Sequence, residues 1–224
     1  MERASWMAAA FTDAAWPRER SGEALSERGR SHAAAVRAAA TQLARSIDDV
    51  LDMAQIDAEE MALDLEDVHV GELLDEAAGR WSEEAVAADV AIAVEYTHDI
   101  GLIRGDAKRL AQILDHLIEN ALAQTPGGGS VNVAARKALG EVQLTVTDTG
   151  RGIPFHVQAH IFDRFIGRER GGPGLSLALV KALTELHGGW VALESEPGAG
   201  ATFTCHLPEE AQAAAAQPEL GLRA

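Results

Sequence analysis

Three groups of residues in this sequence have the types and spacing to do chemistry. Val142, Leu144 and Val146 alternate with Gln143, Thr145 and Thr147, which gives a strand one core-facing side, and Asp148 continues that side. A carboxylate at the inner end of a half-buried strand needs a partner, because burying it alone is costly. Gly150 and Gly152 follow at once and let the backbone approach a flat ligand with no Cβ in the way. Two readings stand for this group: a turn with a capping aspartate, or a carboxylate that accepts from an exocyclic amine such as adenine's. The second group is the run Gly171, Gly172, Pro173, Gly174, Leu175, Ser176, Leu177, which opens a helix. Free N–H groups and the helix dipole suit such a place to phosphate, although a glycine run is also an ordinary loop. The third is Asn120, four residues after His116 and on the same helix face, at the border of the apolar stripe. Its amide oxygen suits a magnesium ion that also holds phosphates, or the cap of a neighbouring loop.

These residues need elements to position them. Between Leu25 and Ala58, Val36, Ala40, Leu43, Ile47, Val50 and Ala54 recur at spacings of four and three, the seam of a helix that wants partner helices along one stripe. A strand is expected over Ala62–His69, a helix over Gly71–Ala87 and a strand over Val90–Tyr96. Asp106 is expected to cap a helix that runs to Gln124, with Leu110, Ile113, Leu114, Leu117 and Ala121 on one face. Strands follow at Val131–Ala135 and Val142–Asp148, turning near Gly140, then a helix from Gly174 to Gly188 and strands at Trp190–Ser195 and Ala201–Leu207. Hairpins mixed with helices predict an α+β sandwich of one sheet and one helical layer. The expected domains are an atypical N-terminal segment 1–24 around Trp6, Phe11 and Trp16, a helix over 25–60, a main domain over 61–208 and a flexible tail over 209–224.

The charge balance narrows the class. With 19 basic and 35 acidic residues the formal charge is −16, which repels polyphosphate surfaces and argues against a nucleic-acid partner. No window of 18 residues is apolar throughout, so no membrane segment is expected, and Glu2, Arg3 and Asp13 interrupt any signal core. One cysteine, Cys205, excludes an internal disulfide, and the expected location is the cytoplasm. Cys205 alternates with Phe203 and Ala201 and belongs in a core. His156, His160, His187 and His206 lack zinc spacing, and Trp81 and Trp190 are expected against the sheet edge.

Asn120, Asp148 to Gly152, Phe162 with Phe165, and Gly172 to Leu177 come in the order of the four nucleotide-binding boxes of the sensor histidine kinase catalytic domain, a Bergerat-fold ATPase, and resemble them. The resemblance covers about Leu63 to Pro208 and includes Ser195 to Phe203, similar to the family's final hairpin. It implies a two-layer α/β sandwich preceded by a long helix of a dimerisation bundle, with ATP and magnesium as cofactors. Asn120 is then the magnesium ligand and Asp148 the adenine anchor, with Gly150 and Gly152 along the base. Gly172 and Gly174 bracket the phosphate end of a lid whose Arg164, Arg168 and Arg170 neutralise phosphate. Ile153, Phe162, Phe165 and Leu175 complete the implied nucleotide-binding set, and His116 is the one candidate for a catalytic role.

The helix over 25–60 resembles the second helix of the family's dimerisation and phosphoacceptor hairpin, implying a homodimer, a response regulator and a partner kinase. Leu25–Arg30, Ala33–Ala58 and Val157–Phe165 look like a branch of the family that carries tyrosine in place of the acceptor histidine. Here the only tyrosine, Tyr96, falls in the main domain, and His32 is followed by Ala33, Ala34, Ala35 and Val36 without the acceptor's acidic neighbour or proline. The ATP site departs from the family too. His116 stands where most relatives have asparagine, Ala123 where many have lysine or arginine, Ser176 at the third glycine and Pro173 at a small hydroxyl residue. These departures predict an intact base site, a weakened phosphate site and a pseudokinase-like regulator. The alternative is a competent protein-histidine kinase whose acceptor is supplied by another segment or a partner.

Overall fold

The computed structural model describes residues 27–97, 99–138, 140–166 and 174–209. Expectations for residues 1–24, for Arg168, Arg170, Gly172 and Pro173, and for the tail from 210 onward lie outside the described residues. In chain order the elements are α1 (Glu27–Asp57), β1 (Glu66–His69), α2 (Val70–Arg80), α3 (Ser82–Ala87), β2 (Ala91–Tyr96), β3 (Leu102–Gly105) and α4 (Ala107–Gln124). They continue with β4 (Ser130–Ala138), β5 (Glu141–Asp148), α5 (Phe155–Gln158), α6 (Ser176–Leu186), β6 (Trp190–Ser195) and β7 (Ala201–Pro208). The chain divides into two compact units between Ala58 and Glu59. The first contains α1, and Val36, Leu43, Ile47 and Val50 of its seam are all exposed.

The second unit is an α+β sandwich. Its main sheet has the order β2-β4-β5-β7-β6, parallel between β2 and β4 and antiparallel elsewhere, and β1 pairs with β3 in a separate antiparallel ribbon. The alternation seen in the sequence decides which face is covered. Val131, Val133, Val142, Leu144, Val146, Phe203, Cys205 and Leu207 are buried, while Thr145 and Thr147 pair by their hydroxyls with Thr204 and Thr202 on the other face. Helix α4 supplies the other half of the core through Leu110, Ile113, Leu114, Leu117 and Ile118, which have no solvent exposure. Each such side chain contributes about 1.5–3 kcal/mol of apolar burial, so this stripe anchors the helix firmly to the sheet. Asp106 caps α4 as expected, its side chain accepting from the Arg109 N–H at 3.1 Å. Cys205 is fully buried beside Thr184, and burial pushes its thiol up to about 12, so it is an inert core residue.

Several expected elements differ. The strand at Ala62–His69 begins only at Glu66, because its partner β3 is four residues long and was itself not foreseen. The helix at Gly71–Ala87 breaks at Trp81, which leaves helical geometry at φ −102°, ψ 4°. Trp81 is buried, and its indole N–H donates to Asp115 of α4 at 2.9 Å. Trp190 does sit on the edge strand β6, half exposed and stacked on His206 with ring centroids 3.8 Å apart. The short helix α5 was also unforeseen. Glu209, expected to start a loose tail, is held by main-chain hydrogen bonds to Gly140 and Arg104 and by an ion pair with Lys137.

Candidate functional site

The site forms where the end of β5, the C-terminal half of α4 and the start of α6 meet. β5 delivers Asp148 into the interior, where it is 4 % exposed. One carboxylate oxygen accepts from the Gly150 N–H at 2.8 Å, and the Ala201 N–H also donates to the carboxylate. Burial nevertheless raises the acid above its ordinary range, because two neutral donors do not replace full hydration. A carboxylate with only backbone partners keeps lone pairs for a ligand's donor. Asp148 lines a narrow cleft with Asn120, Gly152 and Ile153, and Gln124, Ile161, Leu177 and Ala201 complete its walls.

Asn120 and Gln124 reach one cleft because they are four residues apart on α4. His116, one turn earlier, is buried and is not among the residues that line the cleft. The glycines have a more local reason than ligand approach. A Cβ on Gly150 would lie 2.4 Å from the Gln124 carbonyl oxygen, and Gly152 adopts φ +62° with its Cβ position 2.0 Å from the Glu196 carbonyl. Both are required for the loop to seat on α4 and on the β6–β7 turn. Gly150 lines a second, more open cavity of about 490 Å³ together with Gln124 and Arg151.

The remaining expected site residues have local contacts of their own. Phe162 makes an edge-on contact with Phe203, centroids 6.1 Å apart, and so pins its segment to the sheet. Phe165 is half exposed and adopts φ +69°, its N–H donating to the Gly174 carbonyl at 2.8 Å. Gly174 also has φ +69°, and any Cβ there would press on Ile166 and Phe165. Leu175 is buried and precedes α6, whose first turn has no side-chain cap. Sequence reasoning missed Gln124, Ile161 and Ala201, and named Leu177 only as the end of the run Gly172 to Leu177. The 116, 120, 124 helical period could have found Gln124, and the cross-strand pairing of Asp148 with Ala201 places the last.

Among the described residues no cluster of three His, Cys, Asp or Glu side chains could hold a metal. A divalent ion at Asn120 would therefore take oxygens of its ligand for most of its shell. The polar chemistry of the cleft fits an amine-bearing base at Asp148.

Residues 105–211 match the family described as histidine kinase-, DNA gyrase B-, and HSP90-like ATPase, and the chain carries the ATPase domain of a sensor histidine kinase. Within that class it is similar to the sensor protein DivL of Caulobacter vibrioides, 72% identical over 199 residues, covering 89% of this chain and 26% of DivL. It is also 35% identical over 194 residues to the circadian input-output histidine kinase CikA of Synechococcus elongatus, covering 83% of this chain and 26% of CikA. The chain thus spans about a quarter of either curated relative. A crystal structure of full-length ShkA in complex with AMPPNP superposes with a TM-score of 0.73 at 33% identity, covering 86% of this chain and 41% of that one. No described helix is long and apolar enough to cross a membrane.

Proposed function

We propose that this chain binds ATP with magnesium in the Asp148 cleft and acts in two-component signalling as a pseudokinase-like regulator of a partner kinase or response regulator. The observation that carries the nucleotide reading is Asp148, buried at the end of β5 with main-chain partners only, in one cleft with Asn120. Asp148 accepts from the base amine, Gly152 and Ile153 wall the base, and Asn120 shares the magnesium with the phosphates. Magnesium, when bound, neutralises phosphate charge. That the similar ShkA structure is a complex with AMPPNP supports a nucleotide as the ligand.

The regulatory part rests on what this sequence offers as acceptor and as phosphate ligand. His32 lies exposed on α1 among alanines, without the neighbours of a phosphoacceptor, and Ala123 stands where a cation would meet phosphate. Helix 25–60 would be the docking and dimerisation element, and 61–208 the nucleotide unit. Incubation with labelled ATP is expected to leave no acid-labile, base-stable phosphate on this chain. A stoichiometric signal that His32→Ala removes would overturn the regulatory reading while leaving ATP binding in place.

A further inference from the structure

Gln124 is the last residue of α4 and lines the same cleft as Asn120 and Asp148. Its amide carries one acceptor oxygen and two donor hydrogens, and which end faces the cleft decides what the cleft can bind. The Oε1 atom accepts from the Arg151 Nε–H at 2.7 Å, and the Arg151 N–H donates to the Gln124 carbonyl at 3.4 Å. Gly150, with no Cβ, lets the two backbones approach this closely. A guanidinium has donors only, so Arg151 engages the amide oxygen of a side chain that lines the cleft, and the two NH2 donors are left for another partner. One cleft then presents an acceptor, the Asp148 carboxylate, and a donor, the Gln124 amide. Adenosine carries the matching pattern, an amine beside acceptor ring nitrogens and, farther along, acceptor sugar hydroxyls. Guanine turns a carbonyl toward the carboxylate where adenine has its amine.

We infer that Gln124, oriented by Arg151, is a specificity-determining residue that donates a hydrogen bond to an acceptor atom of the nucleotide whose amine Asp148 holds. This rests on the nucleotide reading of the cleft given above. The test uses the full chain and calorimetric titration of ATP, 1-deaza-ATP, 3-deaza-ATP, 7-deaza-ATP, 2′-deoxy-ATP and 3′-deoxy-ATP. Gln124→Glu keeps an acceptor for Arg151 but has no donor, and is expected to weaken ATP roughly tenfold. The analogue lacking the partner atom should bind the native chain more weakly than ATP does, yet match ATP in Gln124→Glu, which tells a ring nitrogen from a sugar oxygen. The added charge acts on all the nucleotides alike and cancels in that comparison. Arg151→Met should erase much of the same discrimination and Arg151→Lys should restore it, with melting temperatures reporting that each variant folds. Equal analogue penalties in the native chain and in Gln124→Glu, or identical behaviour of Arg151→Met and Arg151→Lys, would overturn the role of Gln124. If Asp148→Asn loses ATP while Gln124→Glu retains every penalty, only this inference fails. Absence of ATP binding by the native chain would remove the nucleotide reading and this inference together.

Discussion

Asp148 shows how one residue trades stability for binding. Burial holds its carboxyl above the usual range despite the Gly150 and Ala201 N–H groups. A raised acid contributes stability below its unfolded pKa of about 3.9 and loses that contribution as pH rises through the folded value. At neutral pH the ionised group therefore costs the fold something that only a ligand's donor offsets. Asp148→Asn, which keeps an oxygen for Gly150, is expected to leave the melting temperature at pH 7 unchanged or higher. The same change should weaken ATP and adenosine about ten- to hundredfold, the worth of a hydrogen bond to a charged group. Because the ionised form is the acceptor, native affinity should fall as pH drops, beginning above the range where an exposed aspartate titrates. Calorimetric titration between pH 7 and 5 measures this, and a variant that melts lower at pH 7 would contradict the electrostatic argument.

At the scale of elements, Asp106 and His187 join three segments around the nucleotide unit. The Asp106 carboxylate accepts from Arg109 at the start of α4 and from the Asp64 N–H ahead of β1. Its own N–H donates to Nε2 of His187, just past the end of α6, and His187 Nδ1 donates to the Leu183 carbonyl at 2.7 Å. His187 is 1 % exposed, and burial lowers its pKa against the opposing pull of the Leu183 hydrogen bond and the Asp106 charge. A lowered histidine stabilises the fold above its unfolded pKa, about 6.5, and that stability is lost as pH falls through the folded value. Protonation would also turn Nε2 into a donor facing another donor. The melting temperature is thus expected to fall between pH 7.5 and 5.5, and less steeply in His187→Gln. His187→Ala, which strands the Asp106 N–H, should cost about 1–3 kcal/mol by denaturant titration.

At the scale of the molecule, α1 poses a problem the chain does not solve with its described residues. The helix is about 46 Å long at 1.5 Å per residue. Val36 is 69 % exposed and Leu43 63 %, with Ile47 and Val50 also open, so an apolar stripe faces water. Such a stripe gains by pairing with a like helix, which is the basis for the proposed homodimer and docking face. Leu43→Asp with Ile47→Asp is expected to convert the species seen by light scattering to the mass of a single chain and to weaken response-regulator binding. Unchanged mass and unchanged binding would count against both roles of the helix.

The family was legible in the sequence because its marks are local: a strand that ends in Asp148, glycines two apart, and an asparagine on the face of a strongly periodic helix. Those same local signals predicted the sandwich, the Asp106 cap and the hairpin at Gly140. What the sequence by itself determined is which side chains each element would present, since strand and helix periods fix that from neighbours alone. Only the tertiary structure decided which of them meet. It brought Gln124 and Ala201 into one cleft with Asp148, set Phe162 against Phe203, and seated Gly150 and Gly152 against protein backbone. It also broke a continuous helical pattern at Trp81, because an indole that reaches Asp115 of another helix is not written in the spacing of its own. Contacts between segments far apart in the chain depend on how whole surfaces pack, and no local period records them.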